Sequence, residues 1–279
     1  MKGIVYIGHG SRVEEGNEQL RAFVKKAIER KRDIPIQTIG FIELAEPSIE
    51  EAIDECVAMG ATDIAIVPVL LLAAGHAKVD IPQEIERAEK KYPEVSFSYG
   101  RPFGVETVIV DVLKQRLEAV GLKHVNGLPA YDDREEATIL LVGRGSSDPD
   151  ANSDLVKISR LLWEHVPVME VEVCFLAATR PSLDEGLEKV IRLAGKKVYL
   201  LPYLLFSGVL MNSLQAKVNE LNETLLNKEF LLCHYLGFDD QLVNILVERV
   251  DEVLEHKISG NPDLYHDRLS KQANGVEGL

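Results

Sequence analysis

The sequence predicts an α/β protein with doubly wound parallel sheets, and it predicts that this fold is built twice in one chain. Three observations carry that reading. Short apolar runs alternate with stretches of helical periodicity, the pattern of parallel strands joined by helical crossovers. The strand-like runs are continuously apolar, as in sheets covered on both faces. And the order of these signals restarts near the middle of the 279 residues, a length that suits two domains.

The first run, residues 4–7, reads as a buried strand that ends in the turn Gly8-His9-Gly10-Ser11. From Glu14 onward Leu20, Phe23, Val24, Ala27 and Ile28 recur at helical spacing. A second strand is expected over residues 34–42, and Pro47-Ser48 opens a helix that Gly60 should stop. Residues 64–72 form a third apolar strand, with a helix after Pro82 that reaches Lys91. A fourth strand over residues 95–99 ends at Gly100, and a fourth helix over residues 105–120 ends at Gly121. Residues 123–136 lack periodicity and contain Asn126-Gly127, Pro129 and Asp132-Asp133, so they read as a linker.

The pattern then repeats. A strand over residues 138–142 ends in Gly143-Arg144-Gly145-Ser146, which echoes Gly8-His9-Gly10-Ser11. Thr179-Arg180-Pro181-Ser182 echoes Ala45-Glu46-Pro47-Ser48, Leu201-Pro202-Tyr203 echoes Val67-Pro68-Val69, and Leu236-Gly237 echoes Tyr99-Gly100. The offsets stay between 134 and 137 residues. The expected division is a first half over 1–122, a linker over 123–136, a degenerate second half over 137–258 and a loose tail over 259–279.

Composition narrows the function. A formal net charge of −14 argues against nucleic acid and anionic membranes as partners, since both are polyanions. Cys56, Cys174 and Cys233 form no CxxC pair and read as core thiols of a reduced protein. The N-terminus lacks a signal-peptide layout, and the longest apolar stretch, residues 198–211, is too short to span a bilayer. A cytoplasmic location is expected.

The duplication is a control inside one sequence, because both halves should keep what the fold needs. Three polar positions fail to persist: His9 aligns with Arg144, Glu43 with Ala177 and His76 with Leu210. All three follow strands of the first half, and in open parallel sheets ligands bind beyond the carboxyl ends of the strands. Each has a plainer reading alone. His9 could occupy a tight turn, Glu43 could be a helix-entry charge, and His76 could be a surface-loop histidine. Their joint loss from the second half favours a shared site. His124, His165, His234, His256 and His266 show no such pairing, and read as structural or solvated residues in linker, helix end, strand, helix end and tail.

Two imidazoles and a carboxylate suit Fe, Co, Ni or Zn ions. They leave coordination positions open, as befits a metal that must react or depart. Neutral imidazole can also accept a proton near neutral pH. The segments Gly8-His9-Gly10-Ser11-Arg12, Phe41-Ile42-Glu43 and Ala74-Gly75-His76-Ala77-Lys78-Val79-Asp80-Ile81-Pro82 resemble the signatures of the class II chelatases. More closely they resemble sirohydrochlorin chelatases in their tandem two-half form, over about residues 1–258. The first of these motifs alone would be weak.

That resemblance implies two flavodoxin-like halves facing a central cleft, so that a monomer could act as an intramolecular pseudo-dimer. It implies sirohydrochlorin, a tetrapyrrole with eight peripheral carboxylates, as substrate. The metal substrate would be Fe(II) or Co(II), with no organic cofactor. His9 and His76 would handle metal and protons, and Glu43 would help hold the metal or collect a proton. A siroheme-forming ferrochelatase is the expected activity, and a cobaltochelatase is the alternative. Since metal ligands must be deprotonated, activity should fall as pH drops through the histidine range near ~6.5.

A polyanionic substrate needs local cations. Ser11, Arg12 and Arg144 are the expected carboxylate contacts, with Arg101 and Arg180 as further arginines at strand ends or loops. Any one of them could equally be a surface charge. Two other classes compete. A phosphate-ester hydrolase could use the glycine-rich turn as an anion cradle, but Gly8 stands where a histidine phosphatase needs an arginine. A non-enzymatic carrier of metal or tetrapyrrole would bind without turnover.

Overall fold

The computed structural model describes residues 1–193, 195–206, 209–237 and 239–255. The expected tail, His256 and His266 lie outside the described residues. The first half runs β1 (Lys2–Gly8), α1 (Glu14–Arg30), β2 (Ile36–Phe41), α2 (Ile49–Ala58) and β3 (Asp63–Pro68). A π-helical turn (His76–Asp80) then leads into α3 (Ile81–Lys91), β4 (Ser96–Tyr99) and α4 (Thr107–Glu118). The second half runs β5 (Glu135–Gly143), α5 (Pro149–His165), β6 (Val168–Phe175), α6 (Leu183–Arg192) and β7 (Lys197–Tyr203). It ends with α7 (Val209–Thr224), β8 (Glu229–Leu232) and α8 (Asp240–Glu255). Each half has one four-stranded sheet, in the orders β2-β1-β3-β4 and β6-β5-β7-β8, with every pairing parallel.

Several expected boundaries move. β3 stops at Pro68 rather than residue 72, and the chain beyond it turns toward His76. His76 opens a π-helical turn rather than lying in a loop. Glu135 and Glu136 belong to β5, not to the linker, where Tyr131–Asp133 form one 3₁₀ turn. His234 falls just beyond β8 instead of within a strand.

The strands alternate between two cores. In β1, Val5 and Ile7 pack with α2 and α3 through Ile53, Cys56, Ile81 and Ile85. In β5, Leu140 and Val142 pack with α6 and α7 through Leu187, Val190, Leu214 and Val218. The opposite faces, Ile4 and Tyr6 of β1 with Ile139 and Leu141 of β5, belong to one continuous core shared by both halves. Helices α1, α4, α5 and α8 fill it.

Those four helices are not arranged half by half. α4, the last helix of the first repeat, packs on β7 and α5 of the second. α8, the last helix of the second repeat, packs on β3, β4 and α1 of the first. The repeats therefore exchange their final helices, and the packed lobes do not coincide with the sequence repeats.

An arginine latches each exchanged helix. Arg249 of α8, 1% exposed, donates to the carbonyls of Pro102 and Phe103 and pairs with Glu106 and Glu252. Arg116 of α4 donates to the carbonyls of Tyr235 and Leu236 and to Asp239. Arginine, both carbonyls and the acid all sit at a constant offset of 133 residues between the two latches. Replacing Arg249 by Met should strand the carbonyls of Pro102 and Phe103 in a buried setting and leave Glu106 with Arg101 alone. The expected loss is about 3–5 kcal/mol of unfolding free energy in urea denaturation, and a loss below about 1 kcal/mol would mean the latch carries no load.

Candidate metal and tetrapyrrole site

The loops that follow β1 and β2 are stitched together by backbone hydrogen bonds. Ile42 N–H donates to Gly8 C=O at 2.9 Å, and Glu43 N–H to His9 C=O at 3.1 Å. Gly10 makes this approach possible. Its φ is +89°, and a Cβ there would lie 1.8 Å from the Glu43 carbonyl oxygen. The second half repeats the device, with Leu176 N–H on Gly143 C=O, Ala177 N–H on Arg144 C=O, and Gly145 at φ +88° against the Ala177 carbonyl. The turn beyond is also duplicated. Ser11 N–H donates to Asn17 Oδ1, and Asn17 Nδ2 donates back to Ser11 C=O; Ser146 and Asn152 do the same. Capping boxes Ser48/Glu51 and Ser182/Glu185 start α2 and α6.

Among the described residues, only the first half places a metal-capable set of side chains on this shared scaffold. One ligand atom from each of His9, Glu43 and His76 lies within 4.8 Å of the others. His9 Nε2 is 3.7 Å from Glu43 Oε1, and the two imidazoles meet edge to face with centroids 4.8 Å apart. Donors around one ion at about 2.0–2.2 Å stand roughly 3–4.3 Å apart, so small side-chain rotations bring the three onto one metal. The corresponding Arg144, Ala177 and Leu210 form no such set. It is the sole group of three or more potential ligands among the described residues. Cysteine takes no part: all three thiols are buried, and burial pushes Cys56 up to about 11 and Cys174 and Cys233 up to about 12.

Each histidine has one ring nitrogen engaged by a neighbour. His9 Nδ1 lies 3.1 Å from Gly10 C=O, which suits an Nδ1–H donor and leaves the Nε2 lone pair toward the cluster. Burial first, and then the Arg144 charge, hold His9 below the ordinary 6.5. His76 Nδ1 lies 2.6 Å from Asp80 Oδ2, one π-turn along the chain. A carboxylate on the far nitrogen orients a ligand imidazole and fixes its tautomer. Tyr99 Oη donates to Ala77 C=O at 2.8 Å and pins that turn to the end of β4. The sequence reading passed over Asp80, although its spacing of four from His76 was visible in the motif.

The expected carboxylate contacts divide. Arg12 is exposed and has no side-chain partner among the described residues. Ser11 Oγ accepts from Val13 N–H at 3.0 Å, as Ser146 Oγ does from Asp148 N–H, and the Ser11 hydroxyl hydrogen can still donate to a carboxylate. Arg144 reaches across from the second half, with Nη1 2.5 Å from His9 Nε2. Arg101 is drawn to Glu252 and Arg180 to Glu185. A further cation, Lys78, crosses between halves to Asp148 at 2.7 Å and Asp150 at 2.8 Å, two residues from His76.

Comparison with known proteins follows the same lines. The CbiX family model matches residues 3–120 and again 138–253. A sirohydrochlorin ferrochelatase of Priestia megaterium is 44% identical over 257 residues, covering 92% of each chain. A sirohydrochlorin cobaltochelatase of the same organism is 43% identical over 273 residues, covering 96% of this chain and 85% of that one. The solved structure of SirB from Bacillus subtilis with Fe3+ superposes with a TM-score of 0.78 at 40% identity, over 90% of this chain and 95% of that one. No described helix is long and apolar enough to cross a membrane.

If Asp80 sets the His76 tautomer, Asp80→Ala should weaken Co(II) binding by about 10–100-fold with the fold intact by circular dichroism. Asp80→Asn, whose amide oxygen still accepts the Nδ1–H, should recover most of that loss. Equal affinity in Asp80→Ala and the parent would remove Asp80 from the site.

Proposed function

The chain belongs to the CbiX family of class II chelatases, and from that premise we propose that it inserts Fe(II) into sirohydrochlorin to form siroheme. The observation that carries the proposal is the convergence of His9, Glu43 and His76 on one point of a scaffold whose second copy lacks all three. An open set of two imidazoles and a carboxylate holds a metal without enclosing it.

In this reaction a divalent ion enters the macrocycle and two pyrrole N–H protons leave. In the proposed sequence the ion sits on His9 Nε2, His76 Nε2 and a Glu43 oxygen. As it passes to the pyrrole nitrogens, each imidazole lone pair that it vacates becomes a base for one proton. Two ligand imidazoles thus match two departing protons. Asp80 offsets the charge gained by His76, and Glu43 offsets that gained by His9. Arg12 and Arg144 are the proposed contacts for the substrate carboxylates, since guanidinium forks match carboxylate geometry.

Cobalt is the second reading, favoured by the near-equal identity to a ferrochelatase and a cobaltochelatase of one organism. The donor set accepts either ion.

The test is anaerobic insertion of Fe(II) and of Co(II) into sirohydrochlorin, followed by absorbance. Wild type should turn over, and His9→Ala and His76→Ala should each lose at least about 100-fold, the lower end of general acid–base contributions. Protonation of Nε2 destroys both ligand and base, so kcat/KM should fall on the acid side. The part due to His9 should fall below pH 6.5, because its pKa is lowered. Tight tetrapyrrole binding with no turnover of either metal would leave a carrier, and a flat profile down to about pH 5 would remove the imidazoles from the chemistry.

A further inference from the structure

Arg144 occupies in the second repeat the place that His9 occupies in the first, just past β5 where His9 follows β1. Its guanidinium has no carboxylate partner among the described residues. Its contact is instead with the neighbouring half, Nη1 to His9 Nε2 at 2.5 Å. With Nδ1–H directed at Gly10 C=O, Nε2 is the acceptor of that hydrogen bond.

A metal held by His9 needs the same lone pair, at about 2.0–2.1 Å from Nε2. One lone pair cannot serve both an ion at that distance and a guanidinium nitrogen at 2.5 Å. The two cations also repel, so they do not share the space between His9, Glu43 and His76. Metal entry therefore requires Arg144 to turn away. Its natural destination is a carboxylate. Glu43 is already the carboxylate of the cluster, whereas a carboxylate-rich macrocycle brings new ones.

We propose that Arg144 is a built-in placeholder for the metal: it blocks the His9 lone pair until a carboxylate of the tetrapyrrole draws it off, so that metal and macrocycle load together. This rests on the chelatase reading for the identity of the second ligand, but the competition at His9 stands on the geometry alone. Coupling of this kind is reciprocal, each ligand raising the affinity of the other by the same factor. It also explains why the repeat carries a cation here rather than a neutral residue. A guanidinium can satisfy the imidazole lone pair and then release it, which Ala177 and Leu210 at the other two degenerate positions cannot do.

The test is Co(II) binding to the full chain without tetrapyrrole, read by the visible spectrum of the bound ion, for wild type, Arg144→Met and Arg144→Lys. Arg144→Met should bind Co(II) about tenfold tighter or more, within the usual range of coupling between sites. Arg144→Lys, which keeps the charge, should gain less. In a His9→Ala background the Arg144→Met gain should shrink to what relief of charge repulsion alone supplies, because the contested lone pair is gone. In the insertion assay KM for sirohydrochlorin should rise in Arg144→Met. Unchanged or weaker Co(II) binding in Arg144→Met, or a gain of undiminished size in His9→Ala, would overturn the placeholder. The Co(II) readout needs no turnover. A tighter Arg144→Met in a chain that inserts no metal would therefore sink the enzymatic reading and leave the competition standing. An active chain with unchanged Co(II) binding would do the reverse.

Discussion

The exchange of final helices is the constraint on which the rest of the molecule depends. Each sheet is covered on one face by its own repeat, α2 and α3 in one case and α6 and α7 in the other. The other face is covered partly by a helix borrowed from the opposite repeat. Neither sheet can bury its inner face, Ile4 and Tyr6 or Ile139 and Leu141, without the partner repeat in place. Arg249 and Arg116 then fasten each borrowed helix to the loop after the host sheet's last strand. Burying a guanidinium is costly unless its donors are used, so these contacts hold the two sheets in one relative position. The loops after β1 and β5 consequently meet, and His9 comes within reach of Arg144. Lys78 closes a second bridge to Asp148 and Asp150 beside His76.

Duplication separates scaffold from chemistry. The glycine with positive φ, the backbone stitches between strand-end loops, the serine–asparagine turn and the capping boxes occur in both repeats. Leu44 and Ala178 hold φ near +60° at matching positions. An unfavourable backbone kept in both copies belongs to the fold rather than to a site. What remains once these are set aside is small: two imidazoles and a carboxylate on one side, an arginine facing them on the other. The aspartate behind His76 completes the set on its own π-turn.

Much of this was legible in the sequence because it is local or repeated. Alternating apolar runs marked the strands, Gly60 and Pro47-Ser48 marked the ends of α2, and near-constant offsets marked the duplication. His9, Glu43 and His76 stood out by their absence from the second copy. The parts that stayed hidden are those that depend on long-range packing. No periodicity says which sheet a final helix will cover, so the exchange and its arginine latches had no local signal, although the matching Arg116 and Arg249 were readable as a repeat. The π-turn was hidden because its register differs from an α-helix by one residue. Arg101 and Arg180 looked like strand-end cations, and their acidic partners Glu252 and Glu185 appear only in the folded chain.

A doubled fold with a single metal-capable set of side chains should hold one ion, on the first repeat alone. X-ray absorption of Co(II) bound to the full chain, at increasing metal-to-protein ratio, tests it most directly. Saturation is expected at one ion per chain, with nitrogen and oxygen donors, an imidazole signature and no sulfur. That signature should disappear in the His9→Ala, His76→Ala double variant. Two equivalent ions per chain, a sulfur ligand, or an imidazole signature that survives the double substitution would contradict it.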